Sequence, residues 1–359
     1  MAGGDDVALA FIPQGCGHGC VDVHTHILPR HIPRFVERFG EGGFITLEHI
    51  PGTCRARMVR DDGRFFREVD ENCFDAAARL RDCDRDGVGV QVLSTVPVMF
   101  SYWAKPVHGL EVARFLNDDL AAVVQRHPDR FVGLGTLPLQ DPQAACRELE
   151  RCVTELGLAG VQIGTHVETG PGADDERWML SDPRLFPVFD AAARLDAAVF
   201  IHPWDMMGEV RMQRYWLPWL VGMPAEESLA ICSLIFGGVF ERLPTLRVCV
   251  AHGGGSFAGT LARIEHGFAC RPDLVAIDNP YPPSRYLGRF WVDSLVLDPA
   301  PLRQIVGLFG ERKVALGSDY PFPLGERVPG ETIRAAGFDE GLTQRLLVEN
   351  ALDWLGRPR

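Results

Sequence analysis

Lysine is almost missing from this 359-residue chain: Lys105 and Lys313 are the only two, and every other cationic chain residue is an arginine. That leaves few candidates for a Schiff-base amine. Acidic residues outnumber basic ones, for a formal net charge of −12; this excludes a general nucleic-acid binder, which needs clustered cations to meet phosphates. Paired cysteine spacings are also lacking. The ten cysteines fall mostly inside apolar or helical patterns, as Cys146, Cys152, Cys232 and Cys249 do, where a reduced thiol packs as a small hydrophobe. A reducing, cytoplasmic setting is expected. The one local cluster, Cys16-Gly-His18-Gly-Cys20, has the donor types of a metal site but reads as glycine-rich tail. Residues 1–6 are small and acidic, without the basic-then-apolar order of a secretory signal. No apolar run approaches the roughly 18 residues of a membrane span, so no membrane partner is expected.

What is present is a globular composition, 46% hydrophobic and 23% charged, in a chain long enough for one large α/β domain or two ordinary ones. Short apolar runs at 20–24, 89–95, 131–136, 159–165, 197–202, 246–251, 289–294 and 313–318 read as strands. Amphipathic stretches between them, at 73–86, 111–126, 142–156, 182–194, 227–242 and 257–268, read as helices. This alternation implies parallel strands joined by right-handed crossovers. Eight such strands predict a (β/α)8 TIM barrel, whose C-terminal rim carries the active site. An open doubly wound sheet would require a glycine-rich turn after the first strand, where this chain has His24-Thr25-His26-Ile27-Leu28-Pro29. The run Gly253-Gly254-Gly255 lacks the nucleotide fingerprint and reads as close packing around the site. Residues 28–72 exceed a simple crossover and hold strand-like pieces at 44–48, 54–59 and 64–69, which predicts a small insertion over the barrel mouth. The stretch Glu168–Asp182 is polar and contains glycine, so it reads as a loop on the same rim. Residues 1–19 form an N-terminal extension and 20–359 one barrel domain.

The chemistry lies where the apolar runs end. His24 and His26 share one face of a strand by their i, i+2 spacing, so both imidazoles can reach one ion. Later runs end in His202, His252 and Asp319. Three imidazoles and a carboxylate suit Zn²⁺ with one position left for water or substrate, and the proposed ligands are His24, His26, His202 and Asp319. His252 is expected beside the metal as a neutral acid/base, able to take a proton from a water that the ion acidifies; its plainer reading is a residue that orients a ligand. For Asp319 the plainer reading is a helix N-cap. His166 is expected to line the pocket. Trp204 and Phe322, beside metal ligands, are expected to wall it, although core packing explains them equally well. The fourth strand reads Gln162-Ile163-Gly164-Thr165-His166, with no lysine that could bridge two ions. One metal ion per subunit is therefore expected.

These residues resemble the amidohydrolase superfamily, and within it the branch of metal-dependent decarboxylases. The resemblance runs from about Cys20 to Leu355. It rests on Ser94-Thr95-Val96-Pro97-Val98-Met99-Phe100, on Gly160-Val161-Gln162-Ile163-Gly164-Thr165-His166 and on His202-Pro203-Trp204-Asp205-Met206-Met207. Also matching are Tyr215-Trp216-Leu217-Pro218-Trp219 and Gly317-Ser318-Asp319-Tyr320-Pro321-Phe322. The resemblance implies a zinc enzyme that removes CO2, without O2 or an organic cofactor, from the ring-opened product of 3-hydroxyanthranilate cleavage. It implies that Arg67, in Phe65-Phe66-Arg67, binds a carboxylate of this dicarboxylate substrate. It also implies that Arg263, in Leu261-Ala262-Arg263-Ile264, reaches the site across a homodimer interface. Forked guanidinium donors match carboxylates bidentately, so both roles agree with the substrate's chemistry. A hydrolase of amides, lactones or esters, and a decarboxylase of an aromatic acid, are the competing readings; the metal motif alone separates none of them. The N-terminal extension and the long 168–182 stretch depart from the family pattern without touching a proposed ligand.

Overall fold

The computed structural model describes residues 19–168 and 177–356. The N-terminal extension up to residue 18, including Cys16 and His18, and the 169–176 part of the rim loop lie outside the described residues.

The first element of the described residues is strand β1 (Cys20–Ile27), every residue of which is buried. A short helix α1 (Phe35–Phe39) and strands β2 (Ile45–His49), β3 (Arg55–Arg60) and β4 (Phe65–Asp70) follow. The three strands form a separate antiparallel sheet, the insertion expected after the first strand. Helix α2 (Ala76–Asp86) returns the chain to β5 (Val88–Thr95), and α3 (Pro106–Arg126) leads on to β6 (Phe131–Thr136). Next come α4 (Pro142–Thr154) and β7 (Gly160–Ile163), then a two-stranded hairpin of β8 (His166–Glu168) and β9 (Arg177–Met179). The stretch read as loop is thus strand at both described flanks. Helix α5 (Phe186–Arg194) precedes β10 (Ala198–Ile201); α6 (Met223–Phe236) and α7 (Val239–Arg242) precede β11 (Arg247–Val250). Helices α8 (Phe257–Cys270) and α9 (Pro272–Val275) lead to β12 (Trp291–Asp293), and α10 (Pro299–Phe309) to β13 (Val314–Ala315).

The eight parallel strands run in the order β1-β5-β6-β7-β10-β11-β12-β13. Backbone bonds from Val23 N to Leu316 O (2.9 Å) and from His26 N to Tyr320 O (2.8 Å) bring the last strand round to the first, which makes the sheet a (β/α)8 barrel. Local chemistry sets the helix starts. Asp141 and Asp298 cap α4 and α10 with their carboxylates and are followed by proline at the first helical position, where its missing N–H costs nothing. Aliphatic residues such as Val199, Val248, Ile231 and Leu234 fill the space between strands and helices.

One helical run differs from the sequence expectation. Pro218–Phe236, nineteen residues, is long and apolar enough by composition to cross a bilayer, yet half of its apolar window is buried inside the protein. It carries Glu226 and Glu227, both fully buried, and serves as a core helix.

Candidate active site

His24 and His26 stand at the end of β1, His202 directly after β10 and Asp319 after β13, all four buried at the C-terminal rim. One ligand atom from each lies within 4.8 Å of all the others. The outer nitrogen of each ring is engaged. His24 Nδ1 donates to Asp293 Oδ2 at 2.6 Å, His26 Nδ1 to the Thr95 carbonyl at 3.0 Å and His202 Nδ1 to the Pro203 carbonyl at 2.9 Å. Carbonyls only accept, as does the Asp293 carboxylate, whose pKa is held below the usual value despite its burial by its bond to His24 and the nearby imidazoles, so these contacts place the proton on Nδ1 and leave Nε2 a bare lone pair. The Nε2 atoms of His24 and His26 then face each other at 3.2 Å with no proton to share, and His202 Nε2 is buried without any hydrogen-bond partner. Asp319 Oδ1 lies 3.0 Å from His26 Nε2 and 3.5 Å from His24 Nε2. Converging lone pairs and a carboxylate repel unless a cation stands between them, so the donor set fits a divalent metal. Burial lowers the pKa of His26 and of His202, the latter strongly, which keeps both rings as neutral ligands. Burial alone would raise Asp319, but its bond to His26 and the nearby imidazoles bring it down to about 2.

His252 follows β11 with φ 48°, and Asp319 has φ 58°, left-handed values that are costly outside glycine and often mark functional positions. His252 Nδ1 lies 2.5 Å from Glu227 Oε1, so Nε2 is its free nitrogen; the ring centroid stands 5.0 Å from that of His24 and 5.2 Å from that of His202. Burial opposes protonation here, but the Glu227 carboxylate, helped by Asp319 and Asp293, outweighs it and pushes the pKa up to about 9. The sequence reading of a neutral His252 omitted this partner; a bound dication would act in the opposite direction. Gly255 allows the approach, because a Cβ there would lie 2.6 Å from Glu227 Oε2.

A cleft of about 450 Å³ opens above the metal residues and is lined by Arg67, Trp204, Trp216, Trp219 and Phe322 among others. Arg67 projects from β4 of the inserted sheet. Its guanidinium carbon lies 4.6 Å from the Phe322 ring centroid and 5.5 Å from that of Phe66, and it forms no ion pair among the described residues. A second cleft of about 780 Å³, lined by His252, Leu295, Val296 and Leu297, shares Trp219, Met223, Asp319 and Leu324 with the first. Two expected residues sit elsewhere. His166 is turned by the β8–β9 hairpin toward Glu226, with Nδ1 3.3 Å from its carboxylate, and lines neither cleft. Arg263 is exposed on α8, outside both clefts of this chain.

Sequence reasoning missed Asp293 and Glu227. Asp293 carried a signal, since it ends the apolar run of β12 just as the ligands end theirs. Glu227 carried none: it sits inside a helical pattern, and only the packing of α6 against the glycine run brings it to His252.

A family model described as amidohydrolase matches residues 21–357. This chain belongs to the amidohydrolase family. Within the family its relatives are decarboxylases. It is 56% identical over 337 residues to the 2-amino-3-carboxymuconate-6-semialdehyde decarboxylase of Dictyostelium discoideum, covering 94% of this chain and 91% of the relative. It is 40% identical to the enzyme of the same name from Caenorhabditis elegans, covering 93% of this chain and 94% of the relative. Among solved structures, this amidohydrolase superposes on 5-carboxyvanillate decarboxylase from Novosphingobium aromaticivorans, complexed with manganese and 4-hydroxy-3-methoxy-5-nitrobenzoic acid. The TM-score is 0.76 at 20% identity, over 96% of this chain and 98% of the other. At that identity the likeness concerns the barrel fold alone.

Proposed function

We propose that this decarboxylase-family chain converts 2-amino-3-carboxymuconate 6-semialdehyde to 2-aminomuconate 6-semialdehyde and CO2, using one Zn²⁺ per subunit held by His24, His26, His202 and Asp319. The observation that carries the substrate assignment is 56% identity to a relative of that name over nearly the whole of both chains. The site's chemistry agrees, since the Arg67 guanidinium, which forms no ion pair among the described residues, faces the cleft that the metal residues floor.

When bound, the divalent cation lowers the pKa of a water ligand and draws negative charge toward itself. Arg67 pairs with a substrate carboxylate and fixes the molecule in the cleft; Phe322 and Phe66 pack against the guanidinium and hold it in place. Trp204, Trp216 and Trp219 exclude water from the conjugated chain of the substrate. The bond from the substrate carbon to its departing carboxylate breaks, its electron pair passes into the conjugated system, and CO2 leaves. A proton returns to that carbon. His252, tethered by Glu227, is the group that stores and delivers it through Nε2, and Asp319 holds the opposite side of the site. The second carboxylate clamp is Arg263 of a partner subunit, so the working unit is a homodimer. A cytoplasmic location is inferred as well, in keeping with nine described cysteines that are all free thiols.

The deciding experiment couples 3-hydroxyanthranilate and its dioxygenase to this protein, with zinc, with manganese or with neither. Metal-dependent loss of the semialdehyde absorbance, faster than spontaneous cyclisation and with stoichiometric CO2, is expected. No acceleration by correctly metallated protein would discard this substrate and direct attention to other carboxylates.

A further inference from the structure

Asp22 takes no part in the chemistry above, yet its side chain is entirely buried two residues before His24. Its carboxylate accepts three hydrogen bonds: from the His24 amide at 3.2 Å, the Ser318 amide at 3.1 Å and the Ser318 hydroxyl at 2.5 Å. The Ser318 Oγ in turn accepts the Tyr320 amide at 3.2 Å. Asp22 therefore ties together two segments 296 residues apart in sequence, the segments that carry His24 and Asp319.

The seam needs such a tie. Strand β13 is only two residues long, and beyond it the Leu316 amide bonds to the Leu346 carbonyl at 2.9 Å, not to β1. Across the seam the backbone supplies Val23 N to Leu316 O and Asp319 N to His24 O, each at 2.9 Å, with His26 N to Tyr320 O at 2.8 Å. The Ser318 amide falls between these bonds, and Asp22 supplies the acceptor that a continuing strand would have offered. The next residue, Asp319, holds a left-handed backbone that persists only when its surroundings enforce it. We propose that Asp22 is a positioning residue: through Ser318 it fixes Asp319 at its distance from His24 and His26, and so sets how firmly the site retains its metal ion. This rests on the metal-site reading and is independent of the substrate.

The test uses the full-length, zinc-loaded protein with Asp22→Ala, Asp22→Asn and Ser318→Ala, followed by zinc transfer to an excess of a chromophoric chelator and, separately, by thermal melting of the metal-free forms. Loss of a partner that orients a ligand typically costs about 10–100-fold in metal affinity. Zinc release from Asp22→Ala is expected to be at least about 10-fold faster, with Asp22→Asn and Ser318→Ala in between. Adding Ser318→Ala to Asp22→Ala is expected to accelerate release little further, because both act along one path. Folded variants that lose zinc at the parent rate overturn the proposal, even if their melting temperatures fall, since Asp22 would then only close the barrel. If Asp22→Ala does not fold, Ser318→Ala decides by the same criterion. A parent chain that retains neither zinc nor manganese removes the metal reading and this inference together. Failure of the decarboxylation assay beside accelerated zinc release would remove the substrate assignment alone.

Discussion

Three of the groups around the metal residues act by fixing a proton rather than by moving one, and Asp293 is the clearest. Its Oδ1 accepts the amides of Gly253 at 2.9 Å and Leu295 at 3.0 Å, while Oδ2 faces His24 Nδ1. In Asp293→Asn the remaining carbonyl oxygen would stay on those amides and turn an NH2 toward Nδ1. Two donors cannot share that space, so the His24 proton is expected to move to Nε2, where it blocks metal ligation; the same logic inactivates serine proteases whose triad Asp becomes Asn. A loss of metal affinity on the order of 10–100-fold is expected, measured by competition with a chelator of known affinity. Affinity equal to the parent's would mean that Asp293 does not set the tautomer. The Thr95 and Pro203 carbonyls do the same work for His26 and His202, but backbone atoms escape both mutation and sequence reading.

At the scale of elements, the inserted sheet is held to the barrel at a point where only glycine fits. Gly43 has φ 117°, and a Cβ there would lie 2.9 Å from the Trp103 ring; its amide also donates to Asp61 at 2.6 Å. Gly43→Ala is expected to cost about 1–3 kcal/mol of stability. Because Arg67 sits on the same sheet, KM should rise more than kcat falls; steady-state kinetics showing the reverse split would detach Arg67 from ground-state binding. The barrel itself was legible because its strands are short, mainly apolar and largely buried runs, half-buried only at residues such as Gly89, Val90 and Arg247, and the inserted strands lie within one residue of their expected positions. The last strand was expected over 313–318 but is a regular strand only at Val314–Ala315, with scattered backbone bonds to the first strand beyond it, because the chain leaves the ladder early to bring Asp319 under the cleft. His166 looked like another rim histidine. The β8–β9 pairing, a non-local event with no periodic signature of its own, sends it to Glu226 instead.

Over the whole molecule, charge and association give two further expectations. Burial pushes the thiols of Cys73 and Cys83 up to about 12 and that of Cys20 to about 11, whereas an unfolded chain ionises them near about 8.5. Their contribution to stability is complete below that unfolded value and is lost as pH rises through the folded ones, by about 1.4 kcal/mol per thiol for each pH unit while only the unfolded form is ionised. The melting temperature should therefore decline above pH of roughly 9; a flat profile to higher pH would contradict this burial. Association is tested through the two arginines. If Arg263 serves the site of its partner, a heterodimer of Arg67→Ala with Arg263→Ala contains one site with both mutations and one with neither. Random pairing of equal amounts makes half of the dimers mixed, so activity should return to about a quarter of the parent's although each variant alone is nearly inactive. Recovery should appear only under conditions that let subunits exchange. Were both arginines to act within one chain, every site in the mixture would lack one of them, and mixing would restore nothing.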